Sequence, residues 1–553
     1  MKRVIQLSCC FLLAGCAAWA QFPGVSLPKI KQPGFKADTF KITQYNAKAD
    51  GITLNTESIN KAITDCSDKG GGVVLIPDGM WLTGPIDLKS NVNLHLEHDA
   101  ILLFTKDKSQ YPIVEGFYEG LPAGRCKSPI SGKDLQNVAI TGSGIIDGNG
   151  DAWRMVKKDK LNETQWAARI ASGGVLSADK KTWYPSESSL KGSQAESPGV
   201  LKDGRTLKDF EPYKDFLRPN MVALYGCKRV LLEGVTFQNS PAWNLHPFLC
   251  SDLTLRGVTV KNPWYAQNGD GIDLESSTNT LIENSVFDVG DDGICIKSGR
   301  DEAGRKLGKP TENVIVRNCT VYHAHGGFVI GSEASGGARN IFVYNCSFLG
   351  TDVGLRFKTA RGRGGVVQNI YVTNINMKDI AAEAISFDMY YVAKDPVVLA
   401  GEKREAPKVE TLPVTEATPQ FKDFHISNII CDGAATAIFI RGLPEMNVLG
   451  VYMDNMVMKA KEGIVCTEAA GIYIRNLKLI TDDARPTIDI NNTQSSLFDT
   501  ITSNPDVALS FNVSGKNTSD ITITDTNTGR ASKNVKFTDG AAKGSVVFKE
   551  RKE

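Results

Sequence analysis

The chain has 553 residues, and its 63 Lys+Arg balance 62 Asp+Glu to leave a formal net charge of +1 at pH 7. That balance excludes a global pull toward nucleic acid or an anionic membrane, so an acidic ligand has to be recognised locally. Fifty-two glycines, with no Pro- or Ser-rich linker in the middle, argue for one long repetitive domain rather than several ordinary ones.

In chain order, residues 1–20 come first. Lys2 and Arg3 precede apolar runs at 4–7 and 11–14, and Ala18-Trp19-Ala20 stands before Gln21, the layout of an export signal. Leu13-Ala14-Gly15-Cys16 overlaps it and reads as a lipobox, which would end the signal at residue 15 and place a lipid anchor at Cys16. Both cleavages stay open. The apolar stretch is too short to span a bilayer and no later segment spans one. The expectation is a monomeric protein exported by a bacterium, and periplasmic, outer-membrane-associated or secreted. Of twelve cysteines, Cys9, Cys10 and Cys16 fall in this segment. The other nine are odd in number and lack metal-ligand spacing, which fits buried packing residues better than disulfides or a zinc site.

Asn55-Thr56-Glu57-Ser58 opens a short amphipathic helix with Ile59, Ala62 and Ile63 on one face, stopped by Gly70-Gly71-Gly72. It is expected to cap the N-terminal end of a stack of coils. Strand patterns at 73–76 and 92–96 begin the first coils. Then short β-branched runs recur, closed at Gly234, Gly257, Asn284, Asn318, Asn345, Asn374, Asn428, Asn455 and Asn476. The one interval of 54 residues (428 − 374) is twice 27 (345 − 318). Gly and Asn enter the left-handed backbone region at least cost, so each coil bends sharply at the same place. One coil per repeat, with short strands and no helical half, predicts an all-β, right-handed parallel β-helix over 36–486. Residues 487–553 read as C-terminal strands capping the solenoid or a tail. Non-repetitive stretches at 151–217, 299–309 and 393–420 are expected to form binding walls.

A second strand of each coil aligns without gaps: Trp243-Asn244-Leu245-His246, Ile272-Asp273-Leu274-Glu275, Ile294-Cys295-Ile296-Lys297, Phe328-Val329-Ile330-Gly331, Leu355-Arg356-Phe357-Lys358 and Ile385-Ser386-Phe387-Asp388. Period two sends the first and third members, Trp243 and Leu245 among them, into the core. The outer face receives Asn244, His246, Asp273, Glu275, Lys297, Arg356, Lys358 and Asp388. The same register sets Asp270 level with Asp292 (292 − 270 = 22) and His325 level with Asp291. Like charges held so close raise one another's pKa and need a reason to coexist. Glycosidic hydrolysis supplies one, needing a carboxylic acid for the leaving oxygen and a carboxylate to activate water. Arg356 and Lys358 beside the cluster suit a uronic acid carboxylate.

Asn268-Gly269-Asp270, Gly290-Asp291-Asp292, His325-Gly326 with Gly331-Ser332, and Arg356-Phe357-Lys358 resemble, in order, the four signature segments of the polygalacturonases, glycoside hydrolase family 28. The resemblance is strong over 218–358. It implies hydrolysis of α-1,4-galacturonic acid linkages of pectin with inversion and without metal or organic cofactor. It makes Asp291 the general acid and Asp270 with Asp292 the pair that activates water. His325 would tune the acid or orient the sugar, and Arg356 and Lys358 would hold the galacturonate carboxylate. Lys297, Asn268 and a tyrosine, Tyr390 or its neighbour Tyr391, are further substrate-binding candidates. Gly269 stands where the family commonly has Thr, and Ala324 where it has Gly or Ser. The 151–217 stretch, with Trp153, Trp166, Trp183 and Tyr184, predicts a pocket wall of sugar-stacking aromatics and hence exo-action. Alternatives are a rhamnogalacturonan or xylogalacturonan hydrolase, a calcium-dependent pectate lyase using the aspartates as its ion site, and a non-catalytic β-helix that binds glycans.

Overall fold

The β-branched runs become strands paired in parallel one coil apart, so Val230, Leu253, Thr280, Val314, Ile341, Ile370, Phe424, Val451 and Ile472 stand in one row. The computed structural model describes residues 22, 24–391, 410–482, 487–503, 509–524 and 535–549. Residues 1–20, with Cys9, Cys10 and Cys16, and most of the 393–420 stretch lie outside the described residues. Among those residues two long parallel sheets run the length of a right-handed β-helix, and the stacked inward side chains form one continuous apolar core.

The turn residues do what their type permits. Asn284, Asn318, Asn345 and Asn374 have φ of 53°, 54°, 55° and 56°, and their side chains form a ladder. Asn318 Nδ2 donates to Asn284 Oδ1 at 3.1 Å, Asn345 to Asn318 at 3.3 Å and Asn374 to Asn345 at 3.2 Å. A second ladder, which the repeat reading passed over, links Asn279, Asn313, Asn340 and Asn369, each step 3.2 Å. Each of these residues directly precedes a β-branched run.

Helix α1 (Thr56–Asp68) covers the first coils and buries Ile59, Ala62, Ile63 and Cys66. Asn55 does not cap it with its side chain; that amide instead donates to the carbonyls of Lys48, Thr53 and Leu82. The nine cysteines of the described residues are all free thiols and buried. Beyond residue 487 further coils are added, with Ile490, Val513 and Phe537 stacked in register.

The site lies on the 14-stranded sheet, along its consecutive strands β1 (Val222–Tyr225), β2 (Leu245–Phe248), β3 (Ile272–Glu275), β4 (Ile294–Lys297), β5 (Gly326–Ile330), β6 (Val353–Lys358) and β7 (Glu383–Asp388). From β3 to β7 the register is the aligned one: Ile272, Ile294, Phe328, Leu355 and Ile385 are successive partners. On β2 it differs by two residues, because Leu245 pairs with Ile272. Trp243 therefore stands level with Asp270 and belongs to the site, not the core. Asn244 is buried, its amide donating to the Asp270 carbonyl at 3.4 Å. A two-residue shift preserves the in-and-out alternation, so patterning could not detect it.

The 151–217 stretch folds into a small antiparallel sheet with α2 (Glu163–Ala171) and α3 (Glu187–Gln194). Its tryptophans are not sugar platforms. Trp153 is wholly buried in a satellite core, and Trp166 and Trp183 pack together in another. The hairpin of Ile113–Tyr118 and Leu121–Cys126, to which the sequence assigned no role, also reaches the site. The 299–309 stretch contains α4 (Asp301–Leu307).

Candidate active site

The coil edge ahead of β3, β4 and β5 brings Asp270, Asp291, Asp292 and His325 together, as the sequence register requires. One carboxylate oxygen of each aspartate lies within 4.8 Å of the other two. The turn at 263–267 presses on Gly290, where a Cβ would meet the Pro263 oxygen at 2.5 Å and the Trp264 oxygen at 2.8 Å. Only glycine lets the chain enter Asp291 at this spacing.

Each aspartate has a different environment. Asp292 is 1% exposed, accepts from Lys358 Nζ at 2.7 Å and faces Arg356 Nη1 at 3.5 Å. Asp291 accepts the backbone N–H of Asn268 at 3.1 Å and of Asp292 at 2.9 Å, and faces His325 Nδ1 at 3.3 Å. Burial would raise its pKa, but the His325 imidazole, its hydrogen bond and the Lys358 ammonium together hold it well below the usual carboxylate range. Asp270 goes the opposite way. Burial, with Asp273 and Asp291 as neighbouring charges, pushes its carboxyl well above that range. Environments that separate two acids this far provide a proton holder and an ionised carboxylate in one cluster.

Burial opposes a charge on His325, yet Asp291 and then Asp352, whose Oδ2 is 3.8 Å from Nε2, raise its pKa above the ordinary imidazole value. The sign for stability follows from both partners. The raised imidazole contributes fully below about 6.5 and is lost as pH rises through its folded value. The depressed Asp291 contributes above about 3.9 and is lost as pH falls through its folded value. The pair therefore contributes fully between roughly pH 4 and pH 6.5. Activity should fall on the alkaline side as His325 loses its proton, and His325→Gln should remove that limb from the kcat/KM profile. An alkaline limb unchanged in the variant would assign it to another group.

Lys297, a sequence candidate, lines the cavity but its ammonium is engaged, 2.8 Å from Glu333 and 3.6 Å from Asp273. Asn268 lies at the cavity wall, its side chain oriented by Arg218 Nη2 at 2.8 Å. Burial draws the Arg218 guanidinium down to about 10. Tyr390 is not at the site. It packs against the core, with Arg361 and Arg441 guanidiniums 5.2 and 5.4 Å from its ring. Tyr391 takes the position beside the basic pair, its ring 5.5 Å from the Arg356 guanidinium and 4.8 Å from Lys358 Nζ. The cavity is about 480 Å³, and Glu119, Tyr184, Trp243 and Phe216 help wall it.

Sequence reasoning missed three parts. Trp243 is stacked on Tyr118 of the hairpin, with centroids 4.9 Å apart and planes at 19°. His246 Nε2 is 2.8 Å from Glu275, both wholly buried behind the site; their two outward positions one coil apart were the available signal. Glu119, held by Arg300 at 2.5 Å, comes from a hairpin far away in the chain, for which local pattern held no signal.

A calcium ion fits the trio poorly. Lys358 and Arg356 already stand on Asp292, and two backbone N–H groups and an imidazole occupy Asp291, so the oxygens face donors and positive charge rather than an open oxygen cage.

A β-helix with clustered carboxylates of divergent proton affinity is a glycosidase scaffold. The family model for glycosyl hydrolases family 28 matches residues 202–418. The crystal structure of a hyperthermoactive exopolygalacturonase from Thermotoga maritima is 30% identical, covers 80% of this chain and 91% of that one, and superposes with a TM-score of 0.62. A probable polygalacturonase of Vitis vinifera is 28% identical over 79% of this chain and 78% of its own length. An exo-poly-alpha-D-galacturonosidase of Dickeya chrysanthemi is 31% identical over 63% of this chain and 57% of its own length. The chain belongs to glycosyl hydrolases family 28 and is a glycosidase.

Proposed function

We propose that this glycosidase hydrolyses α-1,4-galacturonic acid linkages of pectin or polygalacturonate from chain ends. The observation that carries the reading is the pair Arg356 and Lys358 set directly against the acid trio. A neutral sugar needs no such pair, whereas a uronate carboxylate matches a guanidinium and an ammonium on one side. The Thermotoga maritima and Dickeya chrysanthemi relatives carry names for exo-action on galacturonan. Exo-action is further supported by walls from the hairpin at Glu119 and from the 151–217 stretch at Met155, Lys157, Tyr184 and Phe216. A chain terminus fits a walled cavity, and an internal segment needs an open groove.

In the proposed mechanism Asp270 and Asp292 hold a water between them; Asp292 takes its proton as it attacks the anomeric carbon, and Asp270, whose carboxyl keeps its own proton, orients the water. Asp291 gives a proton to the departing glycosidic oxygen. In the free protein that proton sits on His325. Sugar entry displaces water, disfavours the charged His325–Asp291 pair relative to its neutral form, and so moves the proton to Asp291. Inversion is taken from the family.

Product analysis on polygalacturonate and on rhamnogalacturonan, with the first-formed anomer followed by proton NMR, tests these points together. The expected result is short products of one size from polygalacturonate, released with inversion and undiminished by a chelator. A ladder of oligomers would sink exo-action, and chelator-sensitive unsaturated products would replace the hydrolase with a lyase. The proposal includes a monomeric solenoid domain exported through residues 1–20 or lipid-anchored at Cys16. Mass analysis of the mature N-terminus distinguishes the two. Among the described residues no helix is long and apolar enough to cross a membrane.

A further inference from the structure

Trp264 is 53% exposed, on the turn that leads into Asn268 and Asp270. Its mount is rigid. The backbone carbonyl of Trp264 packs on Gly290, the residue before Asp291. Tyr265 meets the indole edge-on at 5.9 Å and 87°, and is itself seated in the Val156, Trp166 and Trp183 cluster. Burying an indole would ordinarily be favourable, so one held outward on a fixed turn beside a polysaccharide site is a candidate platform.

A cation accompanies it. Lys160 Nζ lies 5.9 Å from the Trp264 ring centroid, and the same ammonium acts on the Asp352 carboxyl, which faces His325. Because the Trp264 turn packs on Gly290 beside Asp291 and Lys160 stands over its ring, ring and ammonium lie on the His325–Asp291 side of the cavity, where the departing sugar receives its proton. Neither residue is part of the cavity wall itself, so both sit outside the enclosed part.

We propose that Trp264 and Lys160 form an outer subsite for the leaving-group side of the chain, one or more units beyond the sugar attached to the scissile bond. The indole stacks on the apolar C–H face of a uronate while the ammonium meets its carboxylate. This rests on the galacturonan reading of the active site.

The test is kcat/KM for purified oligogalacturonates, from the shortest that the wild-type protein cleaves up to the hexamer. Trp264→Ala should lower the value for the hexamer by about tenfold more than for the shortest substrate, mainly through KM. Trp264→Phe should recover most of the difference. Lys160→Gln should discriminate in the same direction with free acids, and its effect should vanish with a hexamer methyl-esterified only at its outer leaving-group units. Equal losses at every length, or no loss at any length, overturn the subsite while leaving the hydrolase reading intact. Failure of the wild-type protein to cleave any oligogalacturonate overturns the substrate class and the subsite with it.

Discussion

Asp291→Asn is expected to fold yet to hydrolyse polygalacturonate about 10²–10⁴-fold more slowly, the range a positioned general acid supplies. The amide has no acidic proton to give the leaving oxygen, and it cannot exchange one with His325 3.3 Å away. The variant also has a structural cost. The two Asp291 oxygens accept from Asn268 and Asp292 N–H groups; Asn presents one oxygen and one NH2, so one of these donors loses its acceptor at about 1–3 kcal/mol. Reducing-sugar release together with a thermal melt separates the effects. A variant that melts like a folded protein and retains more than a tenth of wild-type turnover would remove Asp291 from the acid role.

Lys358→Met is expected to damage stability and activity together. Lys358 and Asp292 side chains are 7% and 2% exposed, with Nζ and Oδ2 2.7 Å apart. Removing one partner of a buried pair costs about 3–5 kcal/mol because it strands the other charge. Arg356 at 3.5 Å remains to compensate, which places the expectation at the lower end of that range. Burial opposes the ammonium, but Asp292 and Tyr391 hold the Lys358 pKa above its ordinary value, so the ammonium stays charged through neutral pH. The decisive comparison is the double variant Lys358→Met with Asp292→Asn in urea unfolding. Removing both charges should recover much of the stability lost in the single variant, although hydrolysis stays absent. A double variant less stable than Lys358→Met alone by the full cost of Asp292→Asn would mean that the two side chains act independently.

Much of this was legible before folding because parallel β-helices repeat local rules. Asn345 and its equivalents announce a left-handed turn wherever they fall, and a gapless two-residue alternation places Ile272, Ile294, Phe328, Leu355 and Ile385 inward in register. The convergence of Asp270, Asp291, Asp292 and His325 comes from counting residues back from those strands. Misreadings arose where different structures satisfy the same local pattern. Trp243 and Leu245 both obey the alternation, and only the stacking of coils chose Leu245 for the core. Tyr390 and Tyr391 are adjacent and chemically identical, and the end of β7 turns the second toward Lys358. Trp153, Trp166 and Trp183 read equally well as platforms or as packing, and the 151–217 stretch needs them as cores of its own.

The sequence thus decided the solenoid, its core rows and the acid cluster, because each depends on residues spaced by one coil and on the geometry of a single turn. Tertiary structure alone decided the hairpin wall of the cavity and the state of its acids. Glu119 and Tyr118 arrive from a hairpin outside the repeat, and the opposite pKa shifts of Asp270 and Asp291 come from burial and from charges on other coils. Neither distance nor burial is written in any local stretch of chain.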